Sequence, residues 1–258
     1  MKRPAASVAL VLTLALVGCS SAPAGSTLES SVASADASLL PSPTPTATPS
    51  TCNPLEDGGP CLGLLSLGTY TTKVFTPSIT YTVTDGWGNW EDLPGNFLLV
   101  PPGEELAGVN GDVSDFIGIY HGVAAAAADC QEAPEPGVGS SAQALADWFS
   151  NHPGLDASEP VPVVIGGLSG LVLDVTIAAD WTGSCSFAQA RERLVPLIVG
   201  TGPARLHRIL NASFTTRLYL LDLVDGNIVI EVVDHPEVDL GLDDYAVIVE
   251  SIKFATQP

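Results

Sequence analysis

The sequence predicts an α+β domain, largely antiparallel sheet packed with a few helices. Three observations carry that expectation. Short segments rich in Thr, Val, Ile and Tyr recur along the chain, amphipathic helical stretches are few, and there is no β-α-β rhythm. Residues 67–75 and 79–83 are strand-like. Asp85-Gly86 is a turn, Trp87 and Trp90 follow it, and residues 96–100 make a short strand that stops at Pro101-Pro102-Gly103. Residues 116–123 are apolar, and the alanine run 124–128 extends helically, limited by Gly122 and by the prolines after Cys130. Residues 140–152 form the clearest early helix. Ser140 or Ser141 caps it, Ala142, Leu145, Ala146, Trp148 and Phe149 give it an apolar face, and Pro153-Gly154 ends it. Residues 161–165 read as a buried strand, Gly166-Gly167 as a turn and 168–177 as a long strand. Residues 183–193 are irregular and 194–199 a strand. Residues 215–223 and 228–233, joined across Asp225-Gly226, give the strongest hairpin signal. A helix over 243–252 closes the chain, with Tyr245, Ile248, Val249 and Ile252 on one face and Phe254 just beyond.

The first fifty residues speak of location. Lys2 and Arg3 precede an uncharged apolar segment, residues 5–17, too short for a permanent span, which needs roughly 20 apolar residues. It ends in Leu16-Val17-Gly18-Cys19, which resembles the lipobox of bacterial lipoproteins. That resemblance implies removal of residues 1–18, lipid on Cys19, and retention of the protein at the extracytoplasmic side of the cell membrane. One acyl chain binds a membrane only marginally, at ~0.8 kcal/mol per buried methylene, so the diacylglyceryl group of such proteins is what makes the anchor stable. Residues 19–51, rich in Ser, Ala, Thr and Pro, read as a tether with little to bury, or as an O-glycosylated stalk. Residues 52–258 are the exported globular domain.

With 29 Asp/Glu against 9 Lys/Arg, the chain has a formal net charge of −20. Such a surface repels nucleic acid and anionic headgroups, so a nucleic-acid partner is not expected. Apart from Cys19 there are four cysteines, Cys52, Cys61, Cys130 and Cys185. An even number in an exported protein points to two disulfides, with three possible pairings. The expected pairs are Cys52–Cys61, closing a Pro/Gly-rich turn, and Cys130–Cys185. No CxxC pair is present and the histidines are scattered, so no metal site is expected.

Three stretches resemble the PsbP-like α/β/α sandwich: Tyr81-Thr-Val-Thr-Asp-Gly-Trp87, the Trp148 helix leading into Gly166-Gly167-Leu-Ser-Gly170, and Tyr245-Ala-Val-Ile-Val-Glu-Ser-Ile-Lys-Phe254. The candidate disulfides and the long 194–212 segment depart from that pattern. The family hosts unrelated roles, so the resemblance implies a fold and no site.

Chemistry is sparsely signalled. Gly166-Gly167-Leu168-Ser169-Gly170 is off register for a nucleophile elbow and runs into a strand. His121, His152, His207 and His235 have no neighbouring motif naming a catalytic partner. Asp85-Gly-Trp-Gly-Asn-Trp-Glu-Asp92 places acids at calcium-like intervals, but tryptophans occupy the third and sixth positions. Asp239, Asp243 and Asp244 are a second acidic group, of which Asp243 and Asp244 suit a helix start. Trp87 and Trp90 are the candidate ligand contacts, an aromatic pair able to stack on a sugar or anchor a partner, or else to cover a sheet edge. No catalytic residue, cofactor motif or metal is read. The expected function is that of a non-catalytic envelope lipoprotein whose domain binds a small ligand or a protein. The alternatives are an assembly accessory and an unrecognised exported hydrolase.

Overall fold

The computed structural model describes residues 63–102, 115–188, 192–236 and 240–255. The leader, Cys19, the tether and the Cys52–Cys61 pair lie outside the described residues.

The centre is the hairpin of β13 (Thr215–Leu223) and β14 (Gly226–Asp234), two nine-residue strands paired over their whole length. Leu223 pairs with Gly226, so the turn residues are Val224 and Asp225, one place earlier than expected, and Gly226 leaves the turn at φ +147°. Strict alternation divides these strands between two cores. Tyr219, Leu221, Ile228, Ile230 and Val232 face one way, and Leu218, Leu220 and Val229 the other.

Around the hairpin grows a nine-stranded antiparallel sheet. On one side β14 pairs with β6 (Phe116–His121), then β5 (Asn96–Val100), β4 (Gly88–Asp92) and β1 (Gly63–Leu64). On the other side β13 pairs with β10 (Leu168–Ile177), which carries β8 (Leu155–Ala157) and β9 (Val161–Ile165) along its outer edge. Each face is covered by one helix and one three-stranded sheet. The first cover is α2 (Leu242–Ser251) with β2 (Gly68–Thr71), β3 (Ile79–Val83) and β15 (Lys253–Phe254). The second is α1 (Ala142–Asn151) with β7 (Val123–Ala125), β11 (Leu194–Gly200) and β12 (His207–Asn211). The fold is α+β and mostly strand. Among the described residues no helix is long and apolar enough to cross a membrane.

Local chemistry fixes both helices. The Ser141 side chain accepts from Ala144 N–H at α1, and Asp222 on β13 accepts from Ala142 N–H at 2.8 Å. At α2, Asp244 accepts from Gly241 N–H at 2.9 Å, while Arg217 forks onto Asp174 at 2.7 and 3.0 Å and reaches Asp243 at 2.8 Å. The Cys130–Cys185 disulfide, with Cα atoms 5.7 Å apart across a sequence separation of 55, ties two loops together. Closing a loop of that length is worth about 4 kcal/mol in the chain-entropy model.

Three expectations are corrected. The alanine run 124–128 is not helical. Val123, Ala124 and Ala125 pair with β11, and pairing plus burial override alanine's helix propensity. Residues 161–165 are a strand but not a buried one, since Val161 is 55% and Val164 65% exposed. β9 pairs only with β10, and Pro162, flanked in the ladder by Val161 and Val163, takes the outward position where its missing N–H withdraws a donor from the free edge. The first strand is shorter than 67–75, ending at Thr71, because residues 73–75 turn their amides onto Asp92.

Candidate functional site

Trp87 and Trp90 do not face one ligand together. Trp87 is 4% exposed and meets Tyr245 of α2 edge-on, with ring centroids 5.8 Å apart at 88°. It is a core residue, and its candidacy as a ligand contact is corrected. A β-bulge separates the two. Asn89 pairs with Leu99 and Glu91 with Leu98, leaving Trp90 as the extra residue. Asn89 and Asp92 are fully buried toward α2, where Asn89 Nδ2 donates to Tyr81 and Asp92 accepts three backbone N–H groups. Trp90 and Glu91 between them are only half-buried and stand together opposite Leu98. The bulge thus moves Trp90 out of strict alternation.

On the face of Leu98 lies a group of ionisable side chains, Glu91, Tyr120, Arg208 and Glu231. Glu91, Leu98, Gly118 and Glu231 form one row across β4, β5, β6 and β14. Glu231 is 2% exposed in its side chain and accepts from Arg208 Nε at 2.8 Å and from the Tyr120 hydroxyl at 3.0 Å. The Arg208 guanidinium also lies over the Phe116 ring, 4.6 Å from its centroid. Burial pushes the Tyr120 hydroxyl well above the usual phenol range, and the Glu231 charge adds to it. Burial alone would lower Arg208, but Glu231 and Tyr120 outweigh it and hold the guanidinium charged.

Two glycines make this geometry available. A Cβ at Gly118 would stand 2.2 Å from the Tyr120 hydroxyl, so only glycine lets that ring cross β6 to Glu231. A Cβ at Gly95 would stand 2.0 Å from Ala204 N, so only glycine lets the β11–β12 connection close onto β5. The closure is clamped by Asn96, whose amide accepts from Arg205 N–H at 3.2 Å and donates to Arg205 C=O at 3.4 Å. Arg208 follows three residues later, held over β6.

Half-buried Glu91 and Leu98 share this face of the sheet with Arg208, whose side chain is 29% exposed. Arg208 spends Nε on Glu231, while its two terminal nitrogens have no hydrogen-bond partner among the described residues. Glu91 is within electrostatic reach of Arg208 without bonding to it. Burial raises its carboxyl above the usual range, against the lowering effects of Asn96 and Arg208. This face therefore carries the unspent donors of Arg208 and the carboxyl of Glu91.

The other candidates are dispersed. His152 is buried beside the rings of Trp148 and Trp181, and its Nδ1 accepts from Gly154 N–H at 3.1 Å. Among the described residues, His121 Nδ1 and His207 Nε2 are buried without a hydrogen-bond partner, and none of these three histidines is bonded to a hydroxyl or thiol. His235 donates its backbone N–H to Asp115. Gly166 and Gly167, at φ +56° and +91°, form the β9–β10 turn, and exposed Ser169 lies on the strand beyond it. The acids of 85–92 diverge to a turn, the face of Leu98 and a buried staple of residues 73–75. Asp243 is exposed beside Arg217, and Asp239 lies outside the described residues. Among the described residues no group of three or more His, Cys, Asp or Glu is placed to hold a metal. Sequence reasoning missed Glu91, Tyr120, Arg208 and Glu231. The one available signal was a glutamate inside an otherwise apolar strand, Ile228–Val233.

No protein-family model matches the chain, and no curated protein matches it. Among solved structures it is similar to cyanobacterial PsbP (CyanoP) from Synechocystis sp. PCC 6803, at 10% identity and a TM-score of 0.35, covering 75% of this chain and 95% of that one. It is also similar to a crystal structure from Bacteroides thetaiotaomicron VPI-5482, at 12% identity and a TM-score of 0.29. That match covers 69% of this chain and 46% of the other, so the chain spans about half the length of that protein.

Proposed function

We propose that this chain is a lipid-anchored protein of the bacterial cell envelope, facing outward from the membrane, whose domain is a non-catalytic module binding a small ligand between Glu91 and Arg208. The location is supported by Leu16-Val17-Gly18-Cys19 behind a short charged-then-apolar leader. The three stretches quoted from residues 81–87, 148–170 and 245–254 support reading the domain as a PsbP-like sandwich. The binding role is carried by one observation. Arg208 is immobilised on two sides, by Glu231 and the Phe116 ring, yet its side chain is partly exposed and its terminal nitrogens have no hydrogen-bond partner among the described residues. An immobilised donor pair binds at little entropic cost, whereas the carboxylate and hydroxyl beneath it are committed to each other.

The test has two arms. Metabolic labelling with a radioactive fatty acid should mark the wild type and not Cys19→Ser, and an unlabelled wild type would sink the anchor. Thermal melting of the full chain against envelope saccharides and small carboxylates should give a stabilising shift in wild type that Arg208→Lys loses. Shifts unchanged by Arg208→Lys, or none at all, would sink the binding role.

A second reading, an assembly accessory, is favoured by a different observation. Residues 160–173 carry no charge in a chain with 29 acids, and Val161 and Val164 of that stretch are exposed. Loss of charge and exposed apolar area mark contact surfaces. A photo-crosslinker at Val164 yielding one discrete adduct in cells, with none from Val224, would favour this reading.

A further inference from the structure

We infer that the corner where α1 meets β8 is an acid-sensitive latch. His152 holds it shut while its ring is neutral, and a proton taken up at Nδ1 opens it, freeing the C-terminal turn of α1 from the sheet.

The hydrogen bonds fix the protonation state that the closed corner requires. His152 is buried and its Nδ1 accepts from Gly154 N–H at 3.1 Å, so the one ring proton sits on Nε2. A second proton has to enter at Nδ1. There it faces the Gly154 N–H, donor against donor, and strands a buried amide. Neither partner has room to step aside. The imidazole touches the rings of Trp148 and Trp181, with centroids 4.9 and 5.8 Å away, and a Cβ at Gly154 would stand 2.8 Å from both Trp181 and Val195.

Little else holds that end of α1. Its start is tied by Ser141 and by Asp222 of β13. Its last turn has no basic residue, and His152 is itself the C-cap, with a long 3.4 Å bond from its N–H to Phe149 C=O. The next attachments are Leu155 N–H to His152 C=O at 3.1 Å and Ala178 N–H to Gly154 C=O at 3.0 Å. The His152–Gly154 bond lies between these two, where the helix joins β8 and the end of β10.

A histidine at a helix C-terminus is ordinarily favoured in its charged form by the helix dipole. Here the nitrogen that must take the proton faces an N–H instead of a carbonyl. Burial acts in the same direction, against a weaker pull from Glu135. The Trp181 and Glu135 loops are tied to each other by Cys130–Cys185. The other charged groups on the surrounding elements are bonded elsewhere or exposed. Asp147 of α1 accepts from Gln143, Asp156 of β8 and Asp180 are exposed, and Arg193 donates to the carbonyls of Ala178 and Ala179. Asp174 of β10, between the core residues Leu173 and Val175, turns to the opposite face with Arg217. Above the ordinary histidine value of about 6.5 the ring is neutral whether the corner is shut or open. Below it the open corner takes the proton more readily, and opening is favoured.

The experiment follows the isotopically labelled full chain in detergent by NMR, from about pH 8 down to about pH 4.5. The His152 ring should show the Nε2–H tautomer and titrate below its ordinary value. Over the same range the exchange protection of the Gly154 amide, corrected for intrinsic rate, should fall by roughly tenfold or more, while that of Val229 in the central hairpin holds. His152→Gln should abolish the pH dependence at Gly154. Glu135→Gln, which keeps an acceptor for Ala128 N–H, should carry the titration and the loss of protection together to lower pH, and it serves as the test if His152→Gln does not fold. Titration at or above the ordinary value, as the helix end or the two indoles would produce if they prevailed, overturns the inference. So does a titration that leaves Gly154 protected, or the same loss of protection in His152→Gln. Simultaneous loss at Val229 overturns it too, because that is unfolding of the domain and not release of one corner.

Discussion

Two buried carboxylates, one toward each face of the central sheet, are neutralised in different ways. Asp92, on the α2 side, accepts the backbone N–H groups of Lys73, Val74 and Phe75 at 2.7, 3.3 and 2.8 Å. Its partners are main chain, so it staples one loop to the sheet and offers nothing outward. Glu231, on the α1 side, is satisfied by two side chains, and one of them, Arg208, has more donors than Glu231 can use. A carboxylate satisfied by backbone is structure alone. One satisfied by a long cation leaves surplus donors near the surface, and the terminal nitrogens of Arg208 are that surplus.

The largest expected effects break this comparison directly. Arg208→Ala strands a carboxylate under β12 and should cost about 3 kcal/mol in a urea titration, the lower end of the range for a broken buried pair because Arg208 is partly exposed. Asp92→Ala leaves two or three amides without an acceptor and should cost about 3 kcal/mol or more. The two differ in rescue. Arg208→Met combined with Glu231→Leu removes both charges and should regain most of the loss, whereas no second side-chain change can replace the amides around Asp92. A double variant no more stable than Arg208→Ala alone would show that the pair is not the unit it is taken for.

A smaller effect sharpens the geometry. Gly118→Ala should push Tyr120 off Glu231 and cost roughly 1–3 kcal/mol, while Gly167→Ala, where nothing lies within 4 Å, probes only the cost of a positive φ. Equal losses at the two sites would remove Tyr120 from the account.

The smallest effect is pH-dependent. Burial lowers the His152 pKa, against a weaker raising effect of Glu135. Above the ordinary value of about 6.5 both states hold the ring neutral and its contribution is complete. As pH falls from there toward the lowered folded value, the unfolded chain gains a proton that the folded one resists, and stability declines. The carboxyls of Glu91 and Asp234 are raised and act in the opposite direction, so the difference between wild type and His152→Gln is the measurement that isolates the histidine. A difference that stays flat between pH 7 and 5 would contradict the burial argument.

How far the fold was legible follows from where its stabilising contacts lie. The α1 helix, the 168–177 strand and the 215–233 hairpin announce themselves because period, cap and turn residue all sit inside a dozen consecutive positions. The strand at 88–92 was unread because Gly, Asn, Glu and Asp are poor strand formers, and only pairing with Leu98, Leu99 and Val100 makes it one. The 207–211 strand was hidden for the same reason, since its register comes from β11. Of the candidate site, Trp90 was singled out from its local company. Arg208 and Glu231 were not, because their meaning depends on partners from Glu91, Tyr120 and each other, far apart along the chain.

By itself the chain's order of residues determined the antiparallel α+β class, the strong net acidity, the two helices with the serine cap of the first, and which strand faces are apolar, because each depends on composition or on neighbours within a few positions. Tertiary structure alone decided that Trp87 is core while Trp90 stands outside both cores, and that one arginine keeps two donors unspent. Those outcomes turn on a single inserted residue in a ladder and on two glycines that let distant backbone approach, and such contacts have no signature in local pattern.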